Sequence, residues 1–308
     1  MNKRTSRALT KRKGSAELAI QMVLDGLTSQ HSKRAYERQL REFINWFAKT
    51  GQSAMSKAVV QRYASELREA GRSPATINQA LSAIRKLAVE ADDNGAMDSK
   101  VANGIKAVKG VRQEGARTGN WLTKQDAQKL LGGPGTETLK GLRDRAILAT
   151  LIGCGLRRAE AAQLKFKHVQ QRDGRWVLVD LIGKRNKVRS VPMPHWTKKA
   201  IDEYASVAGF SDGHVFRPIN KSGRITRDSV TEQAIYNVVA EHAGALGFDE
   251  IAPHDLRRTF AKLAHKGGSG LDQIQLSLGH GSIQTTERYL GVEQDLTDAP
   301  CDHLGLRL

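Results

Sequence analysis

The stretch WVLVDLI (Trp176–Ile182), GKRNK (Gly183–Lys187) and VRSVPM (Val188–Met193) decides the fold class, because there the helical pattern gives way to sheet. Both flanks are short and apolar, and the polar segment between them fits a hairpin turn. Outward from it the period is helical in both directions. On the C-terminal side, helices are expected over roughly 195–208, 228–246, 254–266, 270–278 and 282–290. On the N-terminal side, Leu142 to Ile152 reads as a helix that is almost wholly apolar after Arg145, so that end is expected to be buried. TKQDAQKLL places Thr123 as an N-cap with an acid at Asp126.

Before residue 104 the pattern is helical throughout. Tyr36, Leu40, Phe43 and Phe47 share one face of a helix over Ser32 to Lys49. Val59, Val60, Tyr63 and Leu67 point inward from a helix over about Ser56 to Ala70, stopped by Gly71. Ser73-Pro74 reads as N-cap plus N1 proline for a helix burying Ile77, Leu81, Ile84 and Leu87. The expected organisation is a basic arm (1–14), a helical domain (15–103), an exposed basic linker (104–119), a second domain (120–291) and a tail (292–308). The expected fold class is mainly α with a small antiparallel sheet: an N-terminal helical domain followed by an α+β domain.

Charge narrows the partner. Lys+Arg number 49 and Asp+Glu 32 among 308 residues, a formal net charge of +17. Such a balance points to a polyanion, and nucleic acid is the commonest. A ribosome-associated or merely very soluble basic protein is the plainer alternative. The excess is concentrated before residue 119, so that half is expected to grip a backbone. No run of about 18 apolar residues exists, so no transmembrane helix is expected. The basic start resembles a signal n-region, but Gln21 interrupts the following apolar run, Glu17 and Asp25 bound it, and no cleavage site follows. Cys154 and Cys301 lack a CxxC or Cys/His setting, which argues against disulfides or zinc and fits a reducing cytoplasm.

Polar groups recur at set spacings in the second domain. Gly155-Leu156-Arg157-Arg158-Ala159-Glu160 follows the apolar helix, and Lys184 sits in the hairpin turn. His254-Asp255-Leu256-Arg257 opens a helix, Leu278-Gly279-His280 ends the next, and Tyr289 lies in TTERYLG. Each alone is weak: an HxxR is most often a solvated helix face, and Arg157 could simply pair with Glu160 one turn on.

Taken in order, the set resembles the tyrosine recombinase (phage-integrase-like) family over most of the chain. The family's G-L-R-x-x-E box is matched by Arg157 and Glu160, its G-K-x-N-K-x-R turn by GKRNKVR with Lys184, its H-x-L-R box by His254 and Arg257, its L-G-H box by His280, and its nucleophile by Tyr289. The resemblance implies a SAM-like core-binding domain and a catalytic domain that clamp duplex DNA. It also implies attack by Tyr289 to leave a 3′-phosphotyrosyl bond, with Lys184 as general acid, His254 as general base and His280 donating to the phosphate. Glu160 would orient the clamp and a histidine.

The chemistry is consistent with this set. A phosphodiester must have its developing charge neutralised, and without clustered carboxylates for a two-metal site protein cations must do it. Arginine keeps its charge and offers phosphate a planar fork, so Arg157 and Arg257 form the expected clamp. No cofactor and no metal are expected. Of the doublets, Arg157 is preferred for its spacing to Glu160 and Arg257 for sharing the face of His254. Arg158 and Arg258 are then expected to be backbone contacts or surface. In the first domain Lys33, Arg34, Arg38, Arg72 and Arg85 are candidate phosphate contacts, each equally readable as solvated surface.

The resemblance implies a homo-tetramer on paired DNA sites, monomeric when free, with the 292–308 tail packing on a neighbouring protomer or else folding back on its own domain. The short stretch before the first helical pattern leads us to expect no separate arm-binding domain of the lambda integrase kind. The function expected is an integrase or transposon recombinase. A Xer-like chromosome-dimer resolvase is the close alternative; a type IB topoisomerase and a binding-only DNA protein are further ones.

Overall fold

The computed structural model describes residues 17–112, 120–183 and 187–291, apart from the side chains of His31 and Arg288. The expected arm, residues 113–119 of the expected linker, Lys184, Cys301 and the tail lie outside the described residues. The chain divides into two units between residues 115 and 116.

The first unit is helical: α1 (17–25), α2 (Gln30–Lys49), α3 (Lys57–Glu69), α4 (Pro74–Asp93) and α5 (Ser99–Lys106). Four starts are fixed by side-chain caps. Ser29, Ser56 and Ser73 accept from the N–H of Ser32, Val59 and Thr76, and Asp98 accepts from Lys100 and Val101. Each such cap stabilises by about 1 kcal/mol. The anticipated apolar faces meet: Phe43, Val60, Tyr63, Ile77, Leu81 and Ile84 are buried together, and Phe43 and Trp46 pack on the Tyr63 ring at 5.1 and 4.8 Å.

The linker expectation needs correcting at its start. Residues 104–106 complete α5, and Ile105 and Val108 are buried in this core. Asn78 then clasps Val111, donating to its carbonyl and accepting from its N–H, both at 2.8 Å. The glycines of this stretch masked an i, i+3 apolar pair that belongs to the helical unit.

The second unit is built round α7 (Leu139–Cys154), which is buried from Gly141 to Cys154 except at Arg145. Before it comes α6 (Lys124–Gly132), capped by Thr123 as expected. After it come α8 (Arg158–Ala162), a short 3-10 turn (Phe166–His168), and an antiparallel sheet of β1 (Val169–Arg172), β2 (Arg175–Ile182) and β3 (Val188–Pro192), in that order. The remaining helices are α9 (His195–Ala208), α10 (Glu232–Gly244), α11 (Pro253–Lys266), α12 (Leu271–Leu278) and α13 (Ile283–Leu290). The helix expected from residue 228 starts later, at Glu232, because Val230 is buried in extended chain bonded to the Phe216 carbonyl and Thr231 caps α10.

The sheet has one strand more than expected. β1 is polar and only half-buried, so no alternation announces it. The turn joining it to β2 is Asp173-Gly174, both at positive φ, which is a hairpin signal in its own right.

Candidate active site

Two chain reversals place the site. Gly155 ends α7 in the left-handed conformation at φ +58, and a Cβ there would lie 2.6 Å from the Phe260 ring. Leu156 is then fully buried and Arg157 becomes the N-cap of α8. Gly279 ends α12 at φ +62 and turns His280 back.

The C-terminus of α12 organises the arginines. A helix end leaves four carbonyls without partners inside the helix. Those of Gln275 and Leu276 accept from the N–H of His280 and Gly279. The Ser277 carbonyl accepts from Arg189 Nε at 2.9 Å. The Leu278 carbonyl accepts from Arg157 Nη2 at 3.4 Å and from Arg257 Nη2. One carbonyl therefore gathers the two arginines expected to form the clamp, at the negative end of a helix dipole.

Arg257 is 1% exposed, and its other partner is the Gly155 carbonyl at 2.6 Å. Among the described residues no carboxylate pairs with it. Burial, then the charge of Arg157, pushes its guanidinium down to about 9. Arg157 is more open and bonds Glu160 at 2.7 Å through its side chain, while its backbone N–H donates to the other Glu160 oxygen at 2.8 Å. The two members of each doublet point to different partners. Arg158 lies outside on Glu232 at 3.1 Å. Arg258 is not surface: it pairs with Asp255 at 3.3 Å and lies over the Tyr289 ring at 4.9 Å.

Tyr289 on α13 is half-buried, with His254 and His280 edge-on to its ring at 5.5 and 5.3 Å. Its hydroxyl donates to the His254 carbonyl at 3.3 Å. Burial raises the phenol above its ordinary value, and Arg257 and Arg258 oppose that rise. His280 Nδ1 lies 3.0 Å from the hydroxyl of buried Thr286, which leaves Nε2 as the open ring nitrogen. Burial, then Arg257 and Arg157, pushes His280 down to about 4, so the ring is neutral near pH 7. His254 is more exposed, yet desolvation, then Arg258 and Arg257, lowers it as well.

Glu160 departs from expectation. Its second partner is Arg189, not a histidine: both carboxylate oxygens accept from Arg189 at 2.8 Å. Burial works to raise this carboxyl, but the bonds and charge of Arg189, then Arg157, hold it down to about 2. Arg189 and Thr286 escaped the sequence reading. Arg189 closes the same GKRNKVR turn motif that supplied Lys184, which was the available signal.

Of the five expected phosphate contacts, Arg34, Arg38 and Arg72 are exposed and Lys33 is half-buried. Arg85 does not fit that role. Its guanidinium donates to the Val108 carbonyl, and its Nε is buried. Cys154 is fully buried, and burial pushes its thiol up, away from reactivity. Among the described residues, no group of three or more His, Cys, Asp or Glu could hold a metal ion, and no helix is long and apolar enough to cross a membrane.

The sequence matches the family model described as the phage integrase family over residues 120–295, and that of the phage integrase N-terminal SAM-like domain over residues 21–95. Among curated proteins it is similar to tyrosine recombinase XerC of Pelobacter propionicus, 32% identical over 87% of this chain and 86% of that protein. It is 29% identical to tyrosine recombinase XerC of Thermodesulfovibrio yellowstonii, over 86% of this chain and 87% of that protein. Among solved structures, XerH recombinase on a palindromic difH substrate aligns with a TM-score of 0.68 at 22% identity, covering 84% of this chain and 76% of that one. A lambda integrase dimer on a COC′ core site aligns with a TM-score of 0.67 at 15% identity, covering 91% and 96%. At these identities the structural likenesses speak to the fold.

Proposed function

The chain belongs to the phage integrase family of tyrosine recombinases, and from that premise we propose that it is a site-specific recombinase that breaks and rejoins DNA through a covalent bond to Tyr289. The observation that carries the chemical reading is Arg257. A guanidinium buried beside Arg157, with backbone carbonyls as its partners, is a positive site that calls for an anion. A DNA phosphate supplies one, and the unused N–H groups of Arg157 and Arg257 bind its non-bridging oxygens.

Cleavage then follows in balanced steps. Tyr289 Oη bonds to phosphorus while the bond from phosphorus to the 5′ oxygen breaks. The phenolic proton passes to His254, and the leaving 5′ oxygen takes a proton from Lys184, whose place rests on the sequence motif. His280 donates from Nε2 to the phosphate, its orientation set by Thr286. Rejoining reverses these steps with the 5′ hydroxyl of a partner strand. The linkage energy stays in the phosphotyrosyl bond, so no nucleotide cofactor is consumed. Exchange of two strands between two duplexes calls for four copies on paired sites, each monomeric when free.

Two duplexes of unequal length, both carrying a site that the protein cleaves, test this. Incubated without metal or nucleotide, they should yield products of swapped length with wild type and none with Tyr289→Phe. Relaxation of supercoiled DNA without swapping would point to a topoisomerase. Tight, salt-sensitive binding without either product would point to a binding-only protein. Either outcome contradicts the recombinase reading.

Whether exchange serves a mobile element or chromosome resolution is a finer matter. The XerC relatives, aligned over most of their length, favour the second. Exchange confined to the ends of an inserted element would instead support the integrase or transposon reading.

A further inference from the structure

We propose that Arg189 is a positioning residue of the cleavage reaction, holding Glu160 and through it Arg157 against the C-terminal end of α12. The inference rests on the recombinase reading above.

Arg189 is placed where three distant segments converge. Its Nη1 and Nη2 donate to Glu160 Oε1 and Oε2, both at 2.8 Å, and its Nε donates to the Ser277 carbonyl at 2.9 Å. Two glycines make room for it. A Cβ at Gly279 would lie 2.8 Å from Arg189 Cδ, and one at Gly183 would lie 3.2 Å from its Nη1. Gly279 therefore clears the arginine stem as well as supplying the positive φ, and the glycine of the turn motif clears its head.

The arrangement separates Arg189 from substrate. Its side chain is 8% exposed and its fork faces the Glu160 carboxylate. Arg157, 31% exposed, is the arginine open to a phosphate, and Glu160 reaches it twice, once at the guanidinium and once at the backbone N–H. A lone carboxylate can rotate about its last bond. A bidentate fork fixes its plane, and that plane sets the direction of the Arg157 head. Arginine alone serves here: lysine has no second parallel donor and no lateral Nε for the Ser277 carbonyl.

Single-turnover cleavage of a nicked duplex that wild type traps covalently tests the role, using the full chain at saturating DNA. Arg189→Met should slow cleavage about 10- to 100-fold, the loss typical when a supporting partner is removed. DNA affinity should change little, so the effect appears in the rate and not in binding. Arg189→Lys should recover a part of it. Arg189→Met also leaves Glu160 with one charged partner fewer, so the variant can lose stability. The double variant Glu160→Gln/Arg189→Met removes both charges together and should regain the wild-type melting temperature. Its cleavage should stay as slow as the slower single variant, because both substitutions break the same linkage. The proposal is overturned if Arg189→Met cleaves within about twofold of wild type, a change too small for a lost positioning contact. It is also overturned if the double variant recovers rate along with stability, or if the two losses multiply. A wild type that traps no duplex would overturn the recombinase reading and this inference with it; a wild type that cleaves alongside an unimpaired Arg189→Met overturns this inference alone.

Discussion

Removing the Arg257 charge should make the protein more stable and nearly inactive. The structure sets the size of both effects. The guanidinium is buried, faces Arg157 and is pushed down to about 9. At about 1.4 kcal/mol per pH unit, holding the charge there destabilises the fold by about 5 kcal/mol. Arg257→Met removes that penalty and keeps an unbranched stem in the space. The Leu278 carbonyl retains Arg157, but the Gly155 carbonyl loses its donor, which costs about 1–3 kcal/mol. The net expectation is a gain of about 3 kcal/mol, or a melting temperature higher by roughly 9 °C for a unit of this size. Cleavage should fall about 10²- to 10³-fold, as when a transition-state donor is lost. Thermal melts in a buffer free of sulfate and phosphate, followed by nicked-duplex cleavage, read both. Added sulfate should narrow the gap by stabilising wild type selectively. A variant that melts lower than wild type without anions, or that cleaves normally, would refute the reasoning.

Four further outcomes follow from the same geometry. Glu160, held down to about 2, contributes stability above the ordinary carboxyl range that is lost as pH falls toward 2. The melting difference between wild type and Glu160→Gln, about 3 kcal/mol at pH 7, should therefore shrink between pH 5 and 2. His280, pushed down to about 4, should stay neutral as pH falls through 6.5, so the cleavage profile should show no step from this ring until pH nears 4. Thr286→Val should slow cleavage about tenfold by freeing Nδ1 without greatly changing DNA affinity, as measured by gel shift. Gly155→Ala should lower stability by about 2–4 kcal/mol in thermal melts, because alanine is strained at φ +58 and its Cβ meets Phe260.

The site was legible in the sequence to the extent that its signals are local. Gly155, Leu156 and Arg157 are neighbours in sequence and act as neighbours, one ending a helix, one buried, one capping the next helix. His254 and Arg257 share a helix turn for the same reason. What the sequence hid depends on distant pairing. Arg189 meets Glu160 across 29 positions and Ser277 across 88, and no local spacing announces either bond. The carbonyls of α12 that gather three arginines carry no side-chain signature at all. Arg85 read as a surface cation because Val108, which holds it, stands among glycines and lysines that look like linker. β1 stayed hidden because a polar edge strand has no apolar alternation to display.

The most direct measurement is mass spectrometry of the trapped protein–DNA adduct after protease and nuclease digestion. The account predicts one modified peptide, IQTTERYLG or its proteolytic fragment, with the nucleotide phosphate on Tyr289 and no adduct from Tyr289→Phe. A phosphate bond to any other residue, or cleavage that leaves no protein attached, would contradict it.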